Sequence, residues 1–396
     1  MVKKLYRDWK DRKEVLGYYL NSTEGYEIIN EDVDLYNSET GELVLCFRKK
    51  ALDYSILTPD LMNFYRRAAQ PTSNRTQAAG KVFTKFYKNL PRLTKWEVNA
   101  LKSIIKGKEE NIDWSEEERY KEVYSTRVWK KIYITEKFFL HGWLDKFREG
   151  KIEDPVSEAQ HIMKKYVGGM NVNNICDSGI IGSFERQTRH PYCRVTAFTK
   201  NNLEKFRETF PFMEQISNLY KECAPEQYKL QKEAVKEMDP KYLIGNSVYS
   251  TVTVNKNFRT AAHTDSGDYS DSFAALVCMS DTGFEGAELL FPEFNVALKF
   301  EPQDFLAGNV GKYIHGNTSK TNQDDERLSL VLYLREALIT KCESCEMEML
   351  RKQFILDRKN QPDHPLRTTE RWSGVTAGMW KSEEWENYKN ESKIQK

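Results

Sequence analysis

The most constraining feature of this sequence is a series of short strand-like segments that begins after Leu243. The segments are SVYSTVTVN, FAALVCMS, GAELLF, VALKF, DFLAGN and RLSLVLYLR, and short turn-like stretches separate them. The last segment alternates, so that its leucines fall on one strand face while Arg327, Ser329, Val331 and Tyr333 fall on the other. A run of many short strands predicts an antiparallel sandwich or jelly roll.

Helical patterns lie on both sides of this region. Residues 202–239 predict two helices, with a bend at Pro211 and a break at Ala224–Pro225. Helical spacing also marks LTKWEVNALKSIIKGKEE (93–110), WSEEERYKEVYSTRVWKKIY (114–133) and CEMEMLRKQFILDRK. We therefore expect an α+β chain with three parts: a mainly helical N-terminal region over 1–165, a jelly-roll domain over 166–340, and a helical C-terminal extension over 341–396.

Composition narrows the class of protein. Sixty Lys and Arg face 59 Asp and Glu, for a net charge of +1, which argues against a protein that coats a polyanion but leaves room for a local basic groove. No apolar run approaches the roughly 20 residues of a membrane span, and the N-terminus lacks an apolar signal core. We expect an intracellular protein without a membrane association.

The cysteines fit the same expectation. There are seven, an odd number, and most are widely scattered, which favours reduced thiols. Cys342 and Cys345 form a single CxxC without a second pair, so two thiols at a helix start are a better interpretation than a zinc site.

Two side chains in the sequence HTD have the spacing of metal ligands. In an extended segment His263 and Asp265 point the same way. Alone, this pattern is equally consistent with a histidine on a sheet face beside an aspartate in a turn. His315, in IHGN after the turn GNVGK, adds a third ligand from another predicted strand. Two histidines and one carboxylate form the facial triad of non-haem Fe(II) oxygenases, which leaves coordination positions open.

An arginine follows the third ligand at a useful place. Arg327 and Ser329 lie on the strand face opposite the leucines, and a buried arginine there needs an anionic partner. A guanidinium binds a carboxylate through two parallel hydrogen bonds, which suits the distal carboxylate of 2-oxoglutarate. The alternative is a surface ion pair with Asp325 or Glu326. The combined pattern favours the oxygenase.

At this point the sequence resembles a known family. The stretch NxNxRTxxHxDxGD, followed by LxFPxxxVxxxxxxxD and HGN, is similar to the TET/JBP branch of 2-oxoglutarate oxygenases, and within it to the J-binding-protein thymine hydroxylases and their phage and fungal relatives. The similarity is strong over about 245–340, extends more weakly to 178–199, and does not cover 1–160. The resemblance implies a double-stranded β-helix that binds Fe(II) and 2-oxoglutarate, uses O2, and takes ascorbate as a supporting reductant.

The resemblance also implies an activity. The enzyme would hydroxylate the 5-methyl group of a pyrimidine in DNA, converting thymine to 5-hydroxymethyluracil, on a base flipped out of the duplex. Oxidation of 5-methylcytosine in DNA or RNA, or of a protein side chain or small molecule, remains the alternative. No obligate protein partner is expected.

Residue by residue, the motif match assigns roles. Iron ligation falls to His263, Asp265 and His315, and the 2-oxoglutarate anchor to Arg327, with Ser329 and Asn255 beside it. The motif supplies Asn257, Arg259 and Asp268 as expected substrate contacts. Outside it, the segments ERQTRHPYCR (185–194) and TSNRTQAAGK (72–81) supply Arg194 and Arg75, and the rings considered for stacking on the base are Phe258, Tyr269 and Tyr192. For each arginine of the substrate group, solvated charge is the alternative.

Overall fold

The computed structural model describes residues 2–80 and 175–392, apart from 73, 76, 188–189, 271 and 368–371, together with the isolated residues 99 and 103. Residues 1–80 and 175–396 form one compact unit, and residues 81–174 form another. The predicted helix at 114–133, and all but two residues of the one at 93–110, lie outside the described residues.

The described residues form two sheets. The strands are β1 (Lys3–Arg7), β2 (Glu27–Ile29), β3 (Val33–Asn37), β4 (Leu43–Arg48), β5 (Gln70–Thr72), β6 (Cys176–Phe184), β7 (Arg194–Val195), β8 (Thr251–Lys256), β9 (Ala274–Met279), β10 (Leu289–Phe291), β11 (Val296–Leu298), β12 (Phe305–Gly308), β13 (Gly316–Asn317) and β14 (Leu328–Tyr333). The major sheet has the order β1-β3-β4-β12-β9-β14-β8-β6-β5, with β7 paired to β6, and the minor sheet has the order β13-β10-β11-β2. Two pairs are parallel, β1 with β3 and β2 with β11, and the other pairs are antiparallel.

Helices cover the major sheet and extend the C-terminus. They are α1 (Pro59–Ala68), α2 (Ala197–Asn201), α3 (Leu203–Glu208), α4 (Phe210–Cys223), α5 (Pro225–Ala234), α6 (Glu336–Lys341), α7 (Cys345–Asn360) and α8 (Glu383–Glu391). The predicted bend at Pro211 is confirmed, since α3 ends at Glu208 and α4 begins one residue before the proline. Thr58 and Ser344 cap α1 and α7 by accepting hydrogen bonds from backbone N–H groups in the first turn.

Strand alternation builds two cores, one on each face of the major sheet. In β14 Leu328, Leu330 and Leu332 pack on the helices, whereas Val331 and Tyr333 face the minor sheet, as their alternation predicted. The α+β prediction with a jelly-roll core flanked by helices is therefore confirmed. The space between the two sheets is filled by apolar side chains at one end and remains open at the other.

The N-terminal region differs from the sequence-based expectation wherever it is described. Residues 2–80 contain five strands and one α-helix, and they belong to the same compact unit as 175–396 rather than to a separate domain ending at 165. The pairing of β1 with β3 and of β2 with β11 explains the difference. Strands this short and charged, such as KKLYR, have partners far along the chain and carry no local periodicity.

At Gly179 the C-terminal end of α1 lies directly against β6. A Cβ atom at this position would lie 1.9 Å from the backbone oxygen of Ala68, at the end of α1. Only glycine therefore allows α1 to end against β6. This contact fixes where the chain leaves α1, and several residues of the following segment line the cavity described below.

The cysteine prediction is wrong for one pair. Cys193 and Cys342 form a disulfide, with Cα atoms 5.9 Å apart, that ties the segment before β7 to the end of α6. Cys345 is a free thiol, so the CxxC does not act as a unit. Connectivity of this kind depends on tertiary contacts across 149 residues and cannot be deduced from spacing.

Within the described ranges, every helix is too short or too polar to span a bilayer.

Candidate active site

The open end of the two sheets encloses a cavity of about 440 Å³. Three neighbouring strands of the major sheet, β6, β8 and β14, form its floor. Their register places two rows of residues side by side across the floor, Ser178–Asn255–Ser329 and Ile180–Thr253–Val331. The volume lies in the range of small-molecule sites.

The three predicted iron ligands meet on the opposite wall. One ligand atom each from His263, Asp265 and His315 lies within 4.8 Å of the other two. Two backbone hydrogen bonds of 2.9 Å join the histidines in an antiparallel bridge, and the Asp265 N–H donates to the Val310 carbonyl. Backbone pairing therefore sets the spacing of the three side chains.

Hydrogen bonds orient both imidazoles. Nδ1 of His263 lies 2.8 Å from the Ala261 carbonyl, and Nδ1 of His315 lies 3.2 Å from the Tyr313 carbonyl. A proton on each Nδ1 leaves each Nε2 lone pair free for a metal. Nε2 of His263 is 3.4 Å from Asp265 Oδ1, so both atoms can bind the same ion.

Protonation at the triad suits a divalent cation. Burial, reinforced by the nearby His263, lowers the pKa of His315 to about 4. Burial raises the pKa of Asp265, but its interactions with His263, His315 and Arg75 outweigh that effect, so this pKa lies below its usual value. Two imidazoles beside a carboxylate are the donor set that Fe(II) takes in facial-triad sites.

Arg327 lines the same cavity. Its side chain is 6% exposed, and its Nε has no hydrogen-bond partner among the described residues. The alternative ion pair with Glu326 is not formed, because that carboxylate accepts from Arg66 at 2.7 Å. Ser329 lies two residues further along β14 in the cavity wall. A buried guanidinium with an unpaired nitrogen fits the distal carboxylate of 2-oxoglutarate.

Asn257 lies outside the cavity lining, contrary to its predicted position at the base edge. Its Oδ1 accepts hydrogen bonds from the Arg327 N–H at 2.8 Å and from Lys320 Nζ at 3.1 Å. Its backbone is left-handed, with φ of 50°, and its N–H donates to the Arg327 carbonyl. Asn257 thus holds the backbone of Arg327 in place.

A hydrogen-bond chain runs along the floor from Asn255. Its Oδ1 accepts from Ser178 Oγ at 2.5 Å, and Ser178 Oγ accepts from Arg75 Nε at 2.8 Å. Asn255 and Arg75 line the cavity, and Ser178 connects them from behind the lining. The structure therefore brings two predicted site residues from distant parts of the sequence into contact with the same serine.

Asp268, a position of the motif, and Phe258, one of the rings considered for stacking, also line the cavity. Oδ2 of Asp268 is buried and has no hydrogen-bond partner among the described residues. Burial and the neighbouring negative charge of Asp265 raise its pKa well above the usual value, and Arg335 offsets only part of this. These two residues offer a ring and a carboxyl group to a planar ligand.

The remaining predicted substrate residues lie away from the described lining. Arg259 donates to the Leu20 carbonyl at 2.8 Å and to Asn21, and Arg194 stacks over the Phe184 ring. Tyr192 packs on the C-terminal cluster around Trp385, and Tyr269 packs beside Leu334. Arg259 contacts residues more than 200 positions away in the sequence, which no local pattern could have indicated.

Sequence reasoning missed Arg335, which lines the cavity. It forms a two-pronged ion pair with Glu185, at 2.6 and 2.8 Å, and donates to the Tyr333 hydroxyl at 3.2 Å. The signal was present, because the alternation that places Arg327, Ser329 and Tyr333 on the cavity face extends to residue 335.

Comparison with known proteins agrees with this geometry. Residues 183–336 match the Tet_JBP family, described as the oxygenase domain of the 2OGFeDO superfamily, a description that implies Fe(II), 2-oxoglutarate and O2. The chain is 38% identical over 220 residues to the bifunctional helicase and thymine dioxygenase JBP2 of Trypanosoma cruzi, covering 52% of this chain and 19% of the relative. It is 36% identical over 167 residues to thymine dioxygenase JBP1-A of the same organism, covering 41% and 20%. The chain thus spans about a fifth of the length of these relatives.

A solved structure of NgTET1 in complex with 5mC DNA is 12% identical, with a TM-score of 0.44 over 89% of this chain and 90% of the other. The family match includes all three triad residues and Arg327. Residues 183–336 therefore match the oxygenase domain of the TET/JBP family, which uses 2-oxoglutarate and iron.

Proposed function

We propose that this protein hydroxylates the 5-methyl group of thymine in DNA, giving 5-hydroxymethyluracil. The observation that carries the proposal is the placement of a His–Asp–His triad and a buried, unpaired arginine in one cavity. The similarity to proteins named thymine dioxygenases supports the choice of base. An enzyme that acts on DNA must work in a compartment that contains DNA, so the proposal includes an intracellular location.

His263, Asp265 and His315 would hold the iron, with the two Nε2 atoms and one carboxylate oxygen as ligands. When bound, Fe(II) supplies O2 activation: one oxygen atom of O2 ends in succinate, with loss of CO2 from 2-oxoglutarate, and the other ends in the new hydroxyl group. Arg327 and Ser329 would grip the distal carboxylate of 2-oxoglutarate. Asn257 accepts a hydrogen bond from the Arg327 N–H and would thereby orient the Arg327 side chain toward the carboxylate.

The cavity is also suited to a flipped base. A methyl group inside duplex DNA cannot reach the triad, so the nucleotide must leave the stack at a cost of roughly a few kcal/mol. Phe258 offers a ring for stacking, and Asp268 offers an unpaired carboxyl oxygen for the Watson–Crick edge. A carboxyl group suits either N3–H of thymine or the amino group of 5-methylcytosine.

Nucleoside mass spectrometry tests the proposal. DNA is incubated with the protein, Fe(II), 2-oxoglutarate and ascorbate, and 5-hydroxymethyluracil is expected with the wild type but not with His263→Ala. The variant must retain its circular dichroism spectrum, because the backbone bridge to His315 does not involve the removed ring. Parallel reactions contain 5-methylcytosine DNA, RNA and free thymidine. Oxidised 5-methylcytosine beside untouched thymine would replace the proposal with the methylcytosine alternative.

A further inference from the structure

Arg75 is one of three arginines that line the cavity, together with Arg327 and Arg335. It follows β5 and is held in two places: Nε donates to Ser178 Oγ at 2.8 Å, and Nη2 donates to the Gly179 carbonyl at 3.3 Å. Both contacts lie on β6, a strand of the cavity floor. The plane of the guanidinium is therefore fixed relative to the sheet.

The remaining nitrogen of Arg75 has no partner among the described residues. No carboxylate of that part of the chain forms an ion pair with it, and burial, the dominant effect, lowers its pKa. Arg75 and the predicted iron ligand Asp265 line the same cavity. A half-buried guanidinium with a free N–H beside the reaction centre needs an oxygen acceptor from a ligand.

That ligand differs from 2-oxoglutarate. Ser329 on β14, Asn255 on β8 and Ser178 on β6 are directly paired neighbours. Strands lie about 4.8 Å apart, so Ser178 is roughly 10 Å from the strand that carries the co-substrate anchor. Arg75 extends from the far end of this row. A co-substrate held by Arg327 and Ser329 would lie at one end of the floor, whereas Arg75 lines the cavity at the other end.

We propose that Arg75 is a specificity-determining residue that donates a hydrogen bond to the C4 carbonyl oxygen of the target thymine. This inference rests on the proposed function and deepens it. The group next to the reacting methyl is a carbonyl in thymine and an amino group in 5-methylcytosine. If 5-methylcytosine enters the cavity, its amino group and the Arg75 N–H face each other as two donors, and neither has an acceptor. The enzyme therefore discriminates against 5-methylcytosine.

The test compares Arg75→Met with Arg67→Met, a matched removal of an exposed arginine on α1. For each protein, kcat/KM is measured on duplexes that carry a single thymine or a single 5-methylcytosine. Arg75→Met is expected to lower thymine oxidation about 100-fold and the thymine-to-methylcytosine ratio at least tenfold. The KM for 2-oxoglutarate stays unchanged. Arg67→Met is expected to leave the ratio as in the wild type.

A binding measurement gives a readout without turnover. Metal-free protein is titrated with a duplex containing mismatched thymine and with one containing an abasic site. The wild type is expected to prefer thymine, and Arg75→Met to lose that preference. An equal loss on both duplexes, with a salt dependence reduced by about one phosphate contact, would assign Arg75 to the backbone and overturn the inference.

Two further outcomes distinguish a failure of this inference from a failure of the proposed function. If Arg75→Met does not fold, Ser178→Ala removes the contact that orients the guanidinium and should shift the base ratio the same way by a smaller factor. An unchanged ratio in Ser178→Ala would then overturn the inference. If the wild type oxidises no thymine at all, the proposed function itself fails, whatever Arg75 does.

Discussion

Replacing Arg327 by methionine should abolish productive binding of 2-oxoglutarate and leave the iron site intact. The methionine keeps the length of the apolar stem but removes the guanidinium, which is 6% exposed and has an unpaired Nε. The distal carboxylate of the co-substrate would then be buried without a counter-charge. Loss of one partner of a buried, hydrogen-bonded ion pair costs about 3–5 kcal/mol. At about 1.4 kcal/mol per tenfold change, the KM for 2-oxoglutarate should rise between about 100- and 3,000-fold.

The assay is succinate release against 2-oxoglutarate concentration on thymine DNA, with Co²⁺ absorption spectra as a separate measure of the metal site. Ser329→Ala is the graded comparison, since the loss of one hydrogen bond to a charged group costs about 1.5–3 kcal/mol and predicts a rise of roughly ten- to 100-fold. Both variants should bind Co²⁺ like the wild type. A folded Arg327→Met whose KM lies within threefold of the wild type would refute Arg327 as the anchor.

Three other predictions concern stability. In the metal-free protein the pKa of His315 is about 4 in the folded state and about 6.5 in the unfolded state, so the unfolded state binds more protons between these values. The free energy of unfolding should therefore fall by about 3 kcal/mol as the pH drops from 6.5 to 4. Urea unfolding at several pH values should show this fall, and His315→Gln should reduce it. Glu185→Gln removes the negative charge that pairs with Arg335. Because both side chains are less than 15% exposed, the free energy of unfolding in the same assay should fall by about 3 kcal/mol. An unchanged midpoint of urea unfolding would show that water screens the pair. Cys193→Ser removes the disulfide to Cys342 and should cost about 2–5 kcal/mol without reductant, a difference that disappears when dithiothreitol is added to the wild type.

The triad and its arginine were predictable because their signals are local. Two ligands share one HxD segment, and alternation in β14 places Arg327 opposite the buried leucines. Strand periodicity also predicted the jelly-roll core. These patterns depend only on which side of a strand a residue occupies, and backbone geometry determines that.

The parts that sequence reasoning missed depend on contacts between distant segments. Arg259 lies in the family motif, yet it binds the Leu20 carbonyl, 239 residues away. Asn257 lies in the same motif, and its Oδ1 accepts a hydrogen bond from the Arg327 N–H. The N-terminal strands have three to six residues each, and only their partners define them. A motif predicts that a residue is near the site, but not which atom its side chain contacts.

The strands β5 and β6 pair with each other, Thr72 opposite Cys176, at the edge of the major sheet. The chain therefore leaves β5 after Thr72 and enters β6 at Cys176, at paired positions that backbone hydrogen bonds hold side by side. Closing a loop on a fixed stem depends only weakly on its length. The length of sequence between these two positions can therefore change at little cost to the pairing of β5 with β6.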